Sequence, residues 1–191
     1  MEDFIKLFKS IKVVSPQSGT IVAPIANGFV HYLFKTFEEN NNIVIETPRQ
    51  VVGSTILDAY IIYKSLNNVS VYSSDRFGVL QEKIGYLHGY ENCFMKGGRI
   101  RQPYGAEITT NIIGSNVDLS VIDNPRNWIN AELIVSSRKT IILVSGTGLP
   151  GQLYNVSYIK NNYTHIKLSD TDVDEINKKF IRINKINRVL E

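Results

Sequence analysis

Three short apolar runs constrain this chain more than any other feature: "NIVIETP" at 42–48, "DLSVIDNP" at 118–125 and "KTIILVSGTG" at 139–148. Each is continuous rather than alternating. A strand that is apolar at every position has both faces buried, which is the mark of a mainly parallel sheet covered on each side. Helix-period patterns lie between the runs. Residues 26–37, "ANGFVHYLFKTF", place Val30, Leu33, Phe34 and Phe37 on one side, and residues 54–66 present Ile56, Leu57, Tyr60, Ile61 and Tyr63. Strands alternating with helices predict an α/β fold with ligand sites outside the carboxyl ends of the strands. The 191 residues suffice for one domain with its own core.

The remaining elements follow from shorter signals. "NVSVYSS" at 68–74 reads as a strand, and "RFGVLQEKIGYLHGY" at 76–90 as a helix broken by glycines. Residues 92–115 read as hairpin strands around Gly97-Gly98 and Pro103-Tyr104-Gly105. "NWINAELIVSSR" at 127–138 and "QLYNVSYIKNN" at 152–162 carry helical patterns, and "YTHIKLS" at 163–169 reads as an edge strand. A final helix begins near Asp170, with Asp170 or Thr171 as its cap and Asp172, Asp174 and Glu175 at its positive end.

Charge and cysteine narrow the setting. The net charge of +3 is too mild to argue for nucleic acid by itself. Cys93, the single cysteine, cannot form an internal disulfide and reads as a small buried residue. The start, "MEDFIKLFKSIK", lacks the apolar core of a signal peptide, and no run approaches the ~20 residues of a membrane span. The expectation is an intracellular protein that is not secreted. Three scattered histidines give no zinc-ligand spacing. His31 and His165 lie in apolar-patterned segments and read as packing residues; His88 falls in a glycine-rich turn. Trp128 reads as a core or interface anchor.

The residues after the three apolar runs carry the chemistry. "ETPRQVVGST" at 46–55 has the strand–turn–helix grammar of a phosphate loop and resembles the Walker A segment of the terminase large subunit, the DNA-packaging ATPase of tailed phages. "DLSVIDNP" resembles that family's Walker B strand. "TIILVSGTGLPGQLYNVSY" at 140–158 resembles its coupling motif, with Ser145, Gly146 and Thr147 at the turn. "ANGFVHYLF" stands in the place of the adenine-motif helix, with Asn27 substituting for the usual glutamine. The resemblance covers about residues 20–190, its motifs being individually weak but in the right order.

The resemblance implies a P-loop NTPase-like fold, mainly parallel with helices on both faces. It implies a nucleotide site at Asn27, Arg49, Gln50, Gly53, Ser54 and Thr55, with ATP as ligand and Mg²⁺ held by Ser54 and Asp123. Two departures change that expectation. Gly53 stands where the family has the lysine that follows charge on the transferred phosphate, and Val52 where it has a loop glycine. Asn124 replaces the glutamate that would polarise the attacking water, and an amide is no base near neutral pH. One lost electrostatic group commonly costs ~10²–10³-fold in rate. Weak or absent hydrolysis is therefore expected, and with it a scaffold, regulatory or assembly role linked to DNA packaging or the virion, in host cytoplasm or virion.

Two other readings stay open. In one the chain is an active packaging motor in which Arg49 contacts phosphate and Asp123 serves catalysis with Mg²⁺. In the other it is a DNA-binding accessory protein that uses Lys178, Arg182 and Lys185, which spacings of four and three place on one face of the basic helix at 171–191. Lys96, Arg99 and Arg101 form a second basic patch. The acidic residues at 170–175 suit capping rather than metal binding, so no nuclease domain is expected. Packaging or virion proteins are the expected partners, with DNA and further copies of the chain as additional ones, and no membrane.

Overall fold

A computed structural model describes residues 1–14, 19–49, 53–73, 77–85, 87, 94–96, 98–101, 106–110, 117–123, 137–145 and 161–190. Its elements, in chain order, are α1 (Glu2–Ser10), β1 (Val13–Val14), β2 (Ile21–Val22), α2 (Gly28–Glu39), β3 (Asn42–Thr47), α3 (Gly53–Leu66), β4 (Val71–Ser73), α4 (Phe77–Ile84), β5 (Phe94–Lys96), β6 (Arg99–Arg101), β7 (Glu107–Thr109), β8 (Leu119–Asp123), β9 (Lys139–Ser145), β10 (Thr164–Lys167) and α5 (Asp170–Leu190).

The fold is α/β, a P-loop-like mainly parallel sheet flanked by helices. Eight strands run in the order β10-β3-β9-β8-β4-β7-β6-β5. The six from β10 to β7 are mutually parallel, and β6 and β5 extend the sheet antiparallel. The hairpin expected around Gly97-Gly98 is β5–β6. Gly98 has φ +73°, a left-handed conformation that glycine adopts without strain. A two-stranded ribbon, β1–β2, was not legible in the sequence.

Continuous apolar runs bury both faces, as their composition requires. Ile43, Ile45, Leu119, Val121, Ile141 and Leu143 join one core with α3. Their alternates Val44, Ile122, Ile142 and Val144 are equally buried on the other face. On the first face α3 is enclosed: Ile56, Leu57, Ala59, Tyr60, Ile61 and Ile62 are all buried. A helix apolar all round belongs between layers. The outer layer is aromatic, with the Phe4 ring of α1 stacked on Phe34 at 4.3 Å and edge-on to Tyr63 at 5.7 Å.

Two charged clusters brace this arrangement. The Asp58 carboxylate on α3, fully buried, is ion-paired with Lys83 of α4. Beside the amino ends of β3 and β9, Glu38 accepts hydrogen bonds from the Tyr60 hydroxyl at 2.7 Å and from Lys64 Nζ at 3.0 Å. Burial by itself would raise the Glu38 pKa, but those two bonds and the Lys64 charge hold it below its ordinary value. Burial and the same carboxylate push the Tyr60 hydroxyl upward.

The final helix differs from expectation at its first turn. Ser169, not Asp170 or Thr171, is the cap. Its Oγ accepts from Asp172 N–H at 3.2 Å, and Asp172 Oδ2 accepts from Ser169 N–H at 2.7 Å. This is a reciprocal capping box, and the "SDTD" at 169–172 was its signal. The expected helices at 127–138 and 152–162 lie outside the described residues except 137–138, which are not helical, and 161–162, which are. No described helix is long and apolar enough to cross a membrane.

Candidate functional site

The step from β3 through α3 to β4 crosses the sheet in one direction, whereas β8 to β9 and β9 to β10 step in the other. The reversal is centred on β3 and β9. Such a switch point opens a crevice outside the carboxyl ends of the strands. The strands formed by the three apolar runs, β3, β9 and β8, are immediate neighbours there.

Register and parity then fix which side chains meet. Thr47 lies opposite Ser145, Asp123 opposite Leu143, and Ser73 opposite Val121. Leu143 and Val121 face α3, and side chains alternate along a strand. Thr47, Ser145, Asp123 and Ser73 therefore all point to the α3 side, level across β3 and β9 and one pleat lower at β8 and again at β4. Adjacent strands are ≈ 4.8 Å apart, so Thr47 and Asp123 sit on strands about 10 Å apart.

The side chains along this line are small and polar. Thr47 is buried and its Oγ1 donates to the Val144 carbonyl at 3.4 Å. Asp123 and Ser145 are half-buried. Ser73 is fully buried, and its Oγ has no hydrogen-bond partner among the described residues. A buried hydroxyl left unpaired costs on the order of 1–3 kcal/mol. Sequence reading missed both Thr47 and Ser73; the strand parity of "NIVIET" and "SVYSS" was the signal that could have found them.

Above this line α3 begins. Gly53 is its first residue and is buried, while Ser54 and Thr55 are half-buried in the first turn, which contains no acid. Helix N-termini attract anions. Arg49 is exposed two residues past β3. Gly53 packs directly on the sheet: a Cβ there would lie 3.3 Å from Leu143 Cδ2 and 3.5 Å from Thr47 Oγ1. Arg49, Gly53, Ser54, Thr55, Asp123 and Ser145 thus share one edge. Gln50, Val52, Asn124, Gly146, Thr147, His88, Cys93 and Trp128 lie outside the described residues.

As a donor set for Mg²⁺-ATP this edge fits in part. Ser54 and Asp123 are of the right kind for the metal. The helix start, however, supplies no cation for the phosphates, and position 53 is filled by close packing. The described residues do not fit a hydrolytic centre, and no hydrolytic step follows from them.

Asn27 is elsewhere, with a different task. It is the N-cap of α2, its Oδ1 accepting from Val30 N–H at 3.1 Å. The next orphan donor, Phe29 N–H, is taken at 2.9 Å by Asn177 Oδ1 from α5. The end of α2 expected to face adenine is therefore capped twice and covered by α5. His31 behaves as expected, its ring packed 4.5 Å from that of Phe180. Burial, with Lys9 and the amino terminus nearby, lowers its pKa. His165 departs from its expectation: on the edge strand β10 it is exposed rather than buried.

The basic stripe is also apart from the strand ends. Lys178, Arg182 and Lys185 are exposed on α5, and Lys178 and Arg182 border its groove with α2. A groove of about 760 Å³ between Tyr32 of α2 and α5 mixes Asp172 and Glu175 with Lys178, Lys179 and Arg182, so its charges largely cancel. In the second basic patch, Arg99 and Arg101 both pair with Glu107, at 3.5 and 2.7 Å. No family model matches the sequence, and no curated protein matches it.

Proposed function

We propose that this chain is a terminase large-subunit-like P-loop domain that has lost its phosphate chemistry and serves as a scaffold or assembly protein linked to DNA packaging or the virion. The observation that carries this reading is the convergence of three motif-like strand ends, on β3, β9 and β8, beneath the start of α3. A chain with three unrelated strand–turn units has no need to set its hydroxyls and its one strand-end acid on the same face of neighbouring strands. The loss is argued from Gly53, which offers no charge and abuts Leu143, and from Asn124 in place of a general base.

Phosphate release from Mg-ATP, with and without double-stranded DNA, tests the reading. The expected result is turnover at the no-enzyme background. DNA-stimulated turnover that Arg49→Ala abolishes would instead make the chain a working motor domain. The accessory DNA-binding reading rests on the solvent-facing Lys178, Arg182 and Lys185; it requires binding that weakens steeply with salt and ignores nucleotide.

A further inference from the structure

Lys139 opens β9, half-buried beside the carboxyl end of α2. By parity with Ile141 and Leu143 it lies on the α3 side of the sheet. Its Nζ donates to the Glu38 carbonyl at 3.4 Å. The Glu38 carboxylate, whose charge also reaches it, is already taken. Lys64 Nζ lies 2.7 Å from Oε1 and 3.0 Å from Oε2, and the Tyr60 hydroxyl donates to Oε1 at 2.7 Å. Two amines thus contend for one carboxylate, and Lys64 holds it. Asp118, whose carbonyl accepts the Lys139 backbone N–H at 3.1 Å, has its carboxylate engaged by Arg138 at 3.7 Å and by the Ser70 N–H at 3.4 Å. Lys6, Lys35, Lys64, Lys83 and Lys167 each have a carboxylate within ion-pair distance; Lys139 has none among the described residues. An ammonium drawn from water without a counter-ion favours its neutral form. Burial accordingly lowers the Lys139 pKa; Glu38 offsets part of that effect and the Lys64 charge adds to it.

We propose that Lys139 is an acylation site, its neutral amine taking the acyl group of a small acyl phosphate. The Nζ lone pair attacks the carbonyl carbon and the N–C bond forms. The C–O bond to phosphorus's oxygen breaks, its electron pair leaves on phosphate, and the proton lost by nitrogen goes to that phosphate. Glu38, Lys64 and Lys139 together carry a net positive charge, which favours an anionic donor. A fully hydrated lysine stays protonated near neutral pH and has no lone pair to offer. The product amide is uncharged, so the reaction removes the cation that lacks a partner and leaves the Glu38–Lys64 pair in place.

Acetyl phosphate applied to the folded chain near neutral pH, with site-resolved peptide mass spectrometry, tests the proposal; circular dichroism checks the fold. Lys139 should be acetylated several-fold faster than Lys35, Lys64 or Lys167, and the advantage should vanish in urea. Lys64→Met frees the Glu38 carboxylate for Lys139 and should slow its reaction. Glu38→Gln removes the attraction that keeps the proton on Lys139 and should speed it. Opposite shifts cannot come from loosening of the fold, which would expose the amine in both variants. A Lys139 no faster than the ion-paired lysines would overturn the proposal. So would a rate that both variants move in the same direction, or that either leaves unchanged.

Discussion

Asn177 Oδ1 accepts the Phe29 backbone N–H at 2.9 Å, joining residues 148 positions apart in the chain. One turn further along α5, Phe180 lies over Gly28, where a Cβ would come within 2.5 Å of Phe180 Cβ and 2.9 Å of the Ile176 carbonyl. The last helix is thus seated on the first turn of α2 by one hydrogen bond and one missing side chain. Gly28→Ala should separate the two helices and destabilise the fold by about 1–3 kcal/mol, the usual penalty of overpacking. Asn177→Ala, which removes only a cap, should cost about 0.5–2 kcal/mol. Urea denaturation of both variants checks the order.

The buried Asp58–Lys83 pair makes a second prediction. Lys83→Met leaves a fully buried carboxylate without its counter-ion and should cost about 3–5 kcal/mol. Replacing both residues by apolar ones of similar size should recover most of that loss. Thermal unfolding of the single and double variants measures the difference. Equal losses in the two would mean that the charge on Asp58 is not what makes the single change costly.

Glu38 gives the acid limb of the stability profile. Its folded pKa lies below the unfolded value, so the folded state binds fewer protons in that range. The contribution is fully present above the unfolded carboxylate pKa, about 4.3, and is lost as pH falls through the lower folded value. Lys64→Met and Tyr60→Phe should each flatten this limb in denaturant titrations below pH 5. His31 acts at milder pH. Its folded pKa is also lowered, so the neutral ring is favoured and stability declines as pH drops below about 6.5. His31→Phe should remove that decline.

Much of the sheet could be read from the chain because its signals are local. A continuous apolar run says both faces are buried, and Pro48 or a following turn says where it stops. The helix beginning at Gly53 and the edge strand at Thr164–Lys167 followed from the same patterns. What could not be read was the meeting of distant pieces. "ANGFVHY" is an N-cap followed by an apolar face, which would serve equally for a nucleotide-binding helix or for one sealed by α5. Asn177 and Phe180 decide between these from 148 and 152 residues away. At the strand ends, the apolar runs pointed to Asp123 and Ser145 as candidates. Ser73 and Thr47 needed the register, which no single segment contains.

The most direct test of the account is calorimetric titration of Mg-ATP into the wild-type chain and into Gly53→Lys. The substitution places a cation at the start of α3, and its Cβ needs only a few tenths of an ångström from Leu143. The account predicts no binding heat for wild type at millimolar nucleotide, and binding by the lysine variant that is lost again when Asp123 is changed to Ala. Tight binding by the wild-type chain would contradict the claim that its phosphate site is chemically silent. Absence of binding in both would contradict the claim that residues 49–55 descend from a phosphate loop.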